Sequence, residues 1–403
     1  MKVLQLNCVY GKGSTGRITR EIHEYLSDKG VESVVLYGRG EKITAPGVNK
    51  VCGEIYAKAN NLLSRFTGIM YAGCYFSTRR IIKRIKKENP DVVHLQCING
   101  YFVNIYKLVS WLKKNNIRTV ITLHAEFMYT ANCGHAFECE RWLTGCGSCP
   151  VYKRETLSIF RDGTAESFRR MKKAFDGFDN LRIVSVSPWL CDRAKRSPML
   201  SDKEHSVIFN GVDTDTFTPS YSESIRKKYV SGKEKMIFHA TAEFSKDKEH
   251  PKGGYYIYEL AEKLKDDGYR FVVAGKKSGE ITNSDNLIYI GEVKDAKELA
   301  QLYSSADLTV LTSKRETFSM VAAESLCCGT PVAGFKAGGP EMIALSDYST
   351  FCDFGDVEGL KKEIICLSQE GRFNKNEISD FSQKVYSSAV MAENYFELYR
   401  SML

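Results

Sequence analysis

The chain has no apolar run long enough to cross a bilayer, so a membrane span is not expected in its 403 residues. The opening stretch, MKVLQLNCVYGKGSTG, lacks the apolar core and small-residue cleavage site of a signal peptide. It reads as a strand followed by a loop, and the expected location is the cytoplasm. Internal repeats and low-complexity tracts are missing too. A P-loop is absent, because GKGSTGR does not satisfy G-x4-G-K-[ST]. The 13 cysteines are therefore expected as buried small hydrophobes or thiolate ligands, not as a disulfide framework.

What is present is a soluble composition, 43% hydrophobic and 26% charged. The length is too great for one ordinary core and implies two domains of similar size. The net charge of +8 is unevenly spread. Met1 to Val212 carries 33 Lys plus Arg against 19 Asp plus Glu, or +14; the remainder carries 24 against 30, or −6. A basic first half suggests an anionic partner: a phosphorylated substrate, a membrane surface or nucleic acid. A solvated surface without a partner is the alternative.

Short β-rich runs alternate with helical ones. KVLQLNCV is followed by GSTGRITREIHEYLSDKG, with helical spacing at Ile18, Ile22 and Leu26. VESVVLYG, DVVHLQC, TVITLHA and LRIVSVSP are further strand candidates. The second half repeats the scheme through KMIFHATA, YRFVVAG, NLIYIG, LTVLTS and TPVAGF, with helices near 255–265 and 298–304. Such alternation predicts an α/β protein with two Rossmann-like parallel sheets. The seam is expected after SVIFNGVDTDTFTP, giving domains 1–212 and 213–382.

Two segments stand out by composition. STRRIIKRIKKENP packs six cations between Arg79 and Lys87 around three isoleucines. It reads as a surface helix held by its isoleucines, with an anionic membrane surface as the alternative. It has no stacking aromatics, so nucleic acid is not an expected partner. NCGHAFECERWLTGCGSCP sets Cys133, Cys139, Cys146 and Cys149 in a C-x5-C-x6-C-x2-C array, with His135 as a spare ligand. A structural zinc site is the sharper reading. Buried thiols, or disulfides under oxidation, are the others.

The stretch KRETFSMVAAESLCCGTPV places Glu316 in a loop after the strand LTVLTS, and Glu324 about two turns into the next helix. The amides of Phe318, Ser319 and Met320 would point from that helix start, which favours a phosphate. One carboxylate can accept from sugar hydroxyls and the other from a ribose diol. The plainer alternative is a solvated loop acid and a helix-surface acid.

RETFSMVAAESLCCGTPVAGFKAGGPEMI resembles the E-x7-E signature of the retaining glycosyltransferases of family 4. VIFNGVDTDTFTP, HPKGG, GSTGR and TLHAEF resemble other stretches of that family, and KKENPD-VVHL and TGCGSCP are similar to its colanic-acid and capsule branch. The resemblance spans nearly the whole chain. It implies the GT-B fold, two Rossmann-like domains facing an interdomain cleft, with a C-terminal helix near 383–403 crossing back to the first. It implies a UDP- or GDP-linked sugar as donor, and a glycan or polyprenyl-diphosphate-linked acceptor in exopolysaccharide, capsule or O-antigen synthesis. No catalytic metal is implied. An association with the inner membrane face would suit a lipid-linked acceptor.

By the same resemblance, Glu316 and His124 contact the donor sugar and Glu324 the ribose. Lys252 holds the diphosphate with the Thr317–Met320 turn, that is Thr317, Phe318, Ser319 and Met320. Gly13, Ser14, Thr15 and Gly16 let backbone approach the diphosphate and acceptor, and Arg17 adds charge. The run HATAEFSKDKEHPKGG lacks the arginine that many members pair with the lysine; Lys246 or Lys248 substitutes, or the site has one cation fewer. A nucleotide-sugar epimerase of the same fold and a zinc-bearing nucleic-acid-binding protein are the rival readings.

Overall fold

In the computed structural model, all 403 residues are described. The chain forms two compact units: Met1–Ile208 together with Met391–Leu403, and Phe209–Val390. No helix is long and apolar enough to cross a membrane.

The first unit holds seven parallel strands: β1 (Lys2–Asn7), β2 (Glu32–Tyr37), β3 (Val48–Lys50), β4 (Val92–Leu95), β5 (Thr119–Leu123), β6 (Leu181–Ser185) and β7 (Glu204–Val207). Their order is β3-β2-β1-β4-β5-β6-β7. The winding direction therefore reverses between β1 and β4. Strands such as Val92–Leu95 are buried at every position, as a sheet covered on both faces requires.

The C-terminal segment completes this unit. Met391, Ala392, Tyr395 and Tyr399 pack into one cluster with Val3, Ile18, Ile22, Val92, Val120 and Val184. A polar chain runs through that contact. Tyr399 Oη bonds His94 Nδ1 at 2.6 Å, His94 Nε2 meets Thr122 Oγ1 at 2.8 Å, and Thr122 Oγ1 meets Tyr395 Oη at 2.8 Å. Burial holds His94 down to about 3, so it is neutral and serves the core.

The second unit holds six parallel strands: β8 (Lys235–Phe244), β9 (Tyr269–Lys277), β10 (Leu287–Gly291), β11 (Leu308–Leu311), β12 (Val332–Phe335) and β13 (Ser349–Cys352). The order is β10-β9-β8-β11-β12-β13, so the reversal lies between β8 and β11. The helix Gly254–Lys263 covers one face through Ile257, Leu260 and Ala261, which join Phe271, Val273, Val310 and Ala333 in the core. Burying each such leucine or isoleucine contributes about 1.5–3 kcal/mol.

The cationic helix is Tyr75–Glu88. Ile81 and Ile85 are buried and five of its six cations are exposed, so it is packed by its isoleucines.

Candidate active site

In an open α/β sheet the strand order leaves a crevice at the carboxyl end where the winding reverses, and ligands bind there. In the second unit the loops after β8 and β11 meet at that place. They are the loops that carry Lys252 and Glu316.

The contact between the two loops is built from backbone. Lys314 N–H donates to Pro251 O at 2.8 Å. Gly253 passes Thr312 at φ +68, and a Cβ there would lie 1.9 Å from Thr312 O. Only glycine allows that approach in that conformation. Lys252 is thereby held so that its Nζ reaches Glu316 Oε1 at 2.6 Å. A third loop closes on them. Glu316 N–H donates to Ala337 O at 3.0 Å, and Gly339 N–H donates to Glu316 O at 2.9 Å. A Cβ on Gly339 would stand 2.5 Å from the Thr317 carbonyl. Glu341 fixes this third loop, its carboxylate accepting from the amides of Ala337 and Gly338 at 2.9–3.0 Å.

The helix after Glu316 runs Met320–Cys327. Ser319 caps it, its Oγ accepting from Ala322 N–H at 3.3 Å. Its backbone sits at φ 87, ψ 91, an uncommon position for a residue with a side chain. The cap takes one of the amides that a helix start leaves without an internal acceptor. Those of Met320 and Val321 remain directed out of the helix end. Glu324 stands just over one turn into this helix, not two, because the cap delays the start to Met320. It is buried, not a surface acid, and Tyr303 Oη donates to its Oε2 at 3.4 Å.

Behind the site lies His239 on β8. Its Nδ1 meets Val310 O at 2.9 Å. Burial, with the charge of Lys252 adding to it, holds the imidazole down to about 4. Lys246 and Lys248 turn toward the aromatic rings of Tyr258 and Tyr255, 5.2 and 5.3 Å from the ring centres, and Glu243 sits 3.4 Å from His250. Neither lysine joins the Lys252–Glu316 pair in the structure.

In the first unit, the reversal places the loops after β1 and β4 together. Asn7 ties them: its Nδ2 donates to Val9 O and Thr15 O at 2.9 and 3.0 Å, and its Oδ1 accepts from Cys97 N–H at 3.0 Å. The helix Gly13–Asp28 starts there, so Gly13, Ser14, Thr15, Gly16 and Arg17 form its first turn. Gly13 and Ser14 are exposed. Gly16 is buried, and a Cβ on it would press on Val9 at 3.0 Å.

His124 follows β5, half-buried, with Nε2 2.9 Å from Gln96 Oε1. Burial holds it down to about 4. Its loop is braced by Glu126, a fully buried carboxylate that meets Arg193 Nε at 2.7 Å and accepts from Ala136 N–H at 2.7 Å. Asn7, Gln96, Glu126 and His239 were not singled out by motif. A polar residue inside an apolar strand run is the signal that marks Asn7 and His239.

The cysteine segment starts where Glu126 is tied down. Cys133, Cys139, Cys146 and Cys149 line one pocket of 260 Å³ with His135. All four are free thiols. The donor chemistry suits a thiophilic ion, but no three His, Cys, Asp or Glu side chains are set to hold a metal.

The chain matches known proteins along its length. The family model for Glycosyltransferase Family 4 matches residues 15–216, and that for Glycosyl transferases group 1 matches residues 222–383. The putative colanic acid biosynthesis glycosyl transferase WcaC of Escherichia coli K12 is 23% identical over 423 aligned positions, covering 100% of both chains. Among solved structures, a sucrose-phosphate synthase from Thermosynechococcus elongatus superposes with a TM-score of 0.69 at 14% identity, covering 100% of this chain and 99% of that one. Anabaena Alr3699/HepE, in complex with UDP and glucose, superposes with a TM-score of 0.65 at 14% identity, covering 100% of each. With the first model matching half of the chain and both sheets wound as Rossmann-like domains, the chain belongs to glycosyltransferase family 4 and has the GT-B fold.

Proposed function

We propose that the protein is a retaining glycosyltransferase. It moves a hexose from a UDP- or GDP-linked donor to a glycan or lipid-linked acceptor in surface polysaccharide synthesis. The observation that carries this reading is the 2.6 Å Lys252–Glu316 contact beside a capped helix start, at the reversal point of the second sheet. A cation and outward amides suit a diphosphate, and the adjoining carboxylates suit sugar and ribose hydroxyls. WcaC's name and the UDP and glucose of the Anabaena protein point the same way.

In this mechanism the bond between the sugar's anomeric carbon and the diphosphate oxygen breaks, and the electron pair leaves with the nucleotide. Lys252 and the amides of Phe318, Ser319 and Met320 stabilise the growing charge. The acceptor oxygen bonds the same face of the anomeric carbon, and its proton passes to the departing phosphate oxygen. No protein base is assigned. Glu316 and His124 position the transferred sugar, Glu324 the ribose, and the Gly13–Arg17 turn the diphosphate and acceptor side. Lys252→Ala and Glu316→Gln are expected to cut transfer by about 10²-fold or more without unfolding the protein. Transfer at wild-type rate by both would end the reading. Thermal-shift screening against UDP- and GDP-sugars identifies the donor, since a ligand that binds the native state raises the melting point.

The four-thiol pocket belongs to the same reading as a structural zinc site, bracing the segment tied to Glu126. The thiols would have to converge from the positions they take in the structure to hold the ion; if they do, elemental analysis of protein purified without chelators finds about one zinc per chain. A trace amount would leave four free thiols and no metal role.

A further inference from the structure

The helix Glu54–Thr67 is folded inside out. Its buried positions are Ala57, Asn60 and Ser64. The opposite stripe is Ile55, Ala59, Leu62, Leu63 and Phe66, at the i, i+4, i+7, i+8, i+11 spacing of one helix face. Ile55 is 86% exposed, and Leu62, Leu63 and Phe66 are exposed as well. The inward polar groups are satisfied. Asn60 Oδ1 accepts from Cys74 N–H at 2.5 Å, its Nδ2 donates to Tyr56 O at 2.7 Å, and Ser64 Oγ donates to Ile69 O at 2.9 Å. The orientation is thus fixed by hydrogen bonds, and the apolar stripe is left in water.

Neighbouring segments extend the stripe. Phe160 (68% exposed) lies 5.5 Å from Phe66 ring to ring, on a loop that also exposes Leu157 and Ile159. That loop is bonded to the helix through Arg65 Nε to Leu157 O and Ile159 N–H to Arg65 O. At the other end Phe76 (70% exposed) stands 6.2 Å from Tyr56 and 5.5 Å from Tyr75. Exposed apolar surface of this extent on one face marks a docking site.

Charge decides what docks. Ile55 to Lys87 contains eight Lys and Arg and no Asp or Glu. Lys58 and Arg65, beside the stripe, line with Arg39, Asn61 and Leu62 a pocket of 310 Å³. The acids beside the patch are themselves engaged: Glu54 holds Arg39 and Lys50, Glu155 pairs with Arg154, and Asp162 accepts from the amides of Cys149 and Thr164. An aliphatic and aromatic ridge whose flanking charges are mostly cationic, with the neighbouring acids already paired, fits a bilayer interface carrying anionic phospholipid. We propose that this face docks on such a bilayer, with Leu62, Phe66, Phe76 and Phe160 entering the acyl boundary and Lys58 and Arg65 meeting headgroup phosphates.

The inference stands apart from the transfer reaction, and its test reads binding alone. The full-length protein is floated with vesicles of phosphatidylcholine, and of phosphatidylcholine mixed with phosphatidylglycerol. Binding to the mixed vesicles is expected to exceed that to the neutral ones by at least about tenfold and to weaken with salt. The triple variant Leu62→Ser, Phe66→Ser, Phe160→Ser changes only exposed side chains and is expected to lose at least about tenfold in binding. Lys58→Glu with Arg65→Glu should lose the preference for anionic vesicles. Phe66→Trp gives an insertion readout: quenching by brominated lipid beyond that of the parent protein. Failure of the parent to float, floating of the triple variant like the parent, or no added quenching at position 66 would each overturn the proposal. So would a dimer seen by light scattering that the triple variant breaks, because a second copy would then cover the face.

Discussion

Gly253→Ala tests the construction of the donor-side site most sharply. Two costs arise. The first is conformational: φ +68 puts the residue in the left-handed region, about 1–2 kcal/mol for an L-residue. The second is steric. The new Cβ would sit 1.9 Å from Thr312 O and 2.7 Å from Thr312 C, both backbone atoms that cannot rotate away. Forcing the loops apart costs about 1–3 kcal/mol more. Gly268 isolates the first cost, since it has φ +75 in the same unit with nothing within 4 Å of its Cβ position. Gly268→Ala is therefore expected to lose about 1–2 kcal/mol, and Gly253→Ala about 2–5 kcal/mol, in urea denaturation. The two should differ more in function. Displacing Lys252 by about 1 Å from its place against Glu316 is expected to cost about 10²-fold in sugar transfer, whereas Gly268→Ala should transfer at the parent rate. Equal stabilities with undiminished transfer by Gly253→Ala would show that the loop approach does not position Lys252.

Three further outcomes follow from buried groups. His94 and His239, one in each unit, are held down to about 3 and about 4 from 6.5, so below pH 6.5 the unfolded chain binds protons that the native chain does not. Stability should fall as pH drops from 6.5 toward 4, by about 1 kcal/mol for each histidine between pH 6.5 and 5.5, and be indifferent to them above 6.5; an unchanged urea midpoint between those two values would contradict this. Tyr399→Phe removes the 2.6 Å bond to His94 Nδ1 and should lower stability by about 1–3 kcal/mol, read by thermal unfolding; no change would mean that the polar chain does not hold the C-terminal helix. Ser319→Ala, which deletes the cap on Ala322 N–H and keeps the left-handed backbone, should cost about 1 kcal/mol in urea denaturation.

The parallel sheets were legible because their strands are buried on both faces and read as short apolar runs between helical ones. Lys252 and Glu316, 64 positions apart, could be brought together beforehand only by likeness to a family. Nothing in their spacing states that β8 and β11 are neighbours; the strand order does. Glu324 lay a turn nearer the helix start than the motif suggested, because a capping serine at φ 87 is not visible in a run of residue types. The supporting shell was out of reach for the same reason. Glu126 looks like any loop acid until Arg193 and the Ala136 amide surround it.

The helix Glu54–Thr67 shows a more general limit. A 3.6-residue period establishes that a helix has an apolar face, but not that the face points inward. That direction is set by what the other face can satisfy. Here Asn60 and Ser64 find backbone partners at Cys74 and Ile69, so their burial costs little. Burying Leu62, Leu63 and Phe66 instead would rotate both polar groups out of those bonds and leave the Cys74 and Ile69 backbone groups to find other partners. The fold keeps its hydrogen bonds and exposes its aliphatic groups. That choice is stable where the exposed stripe meets a second apolar phase, which is the condition the vesicle experiments probe.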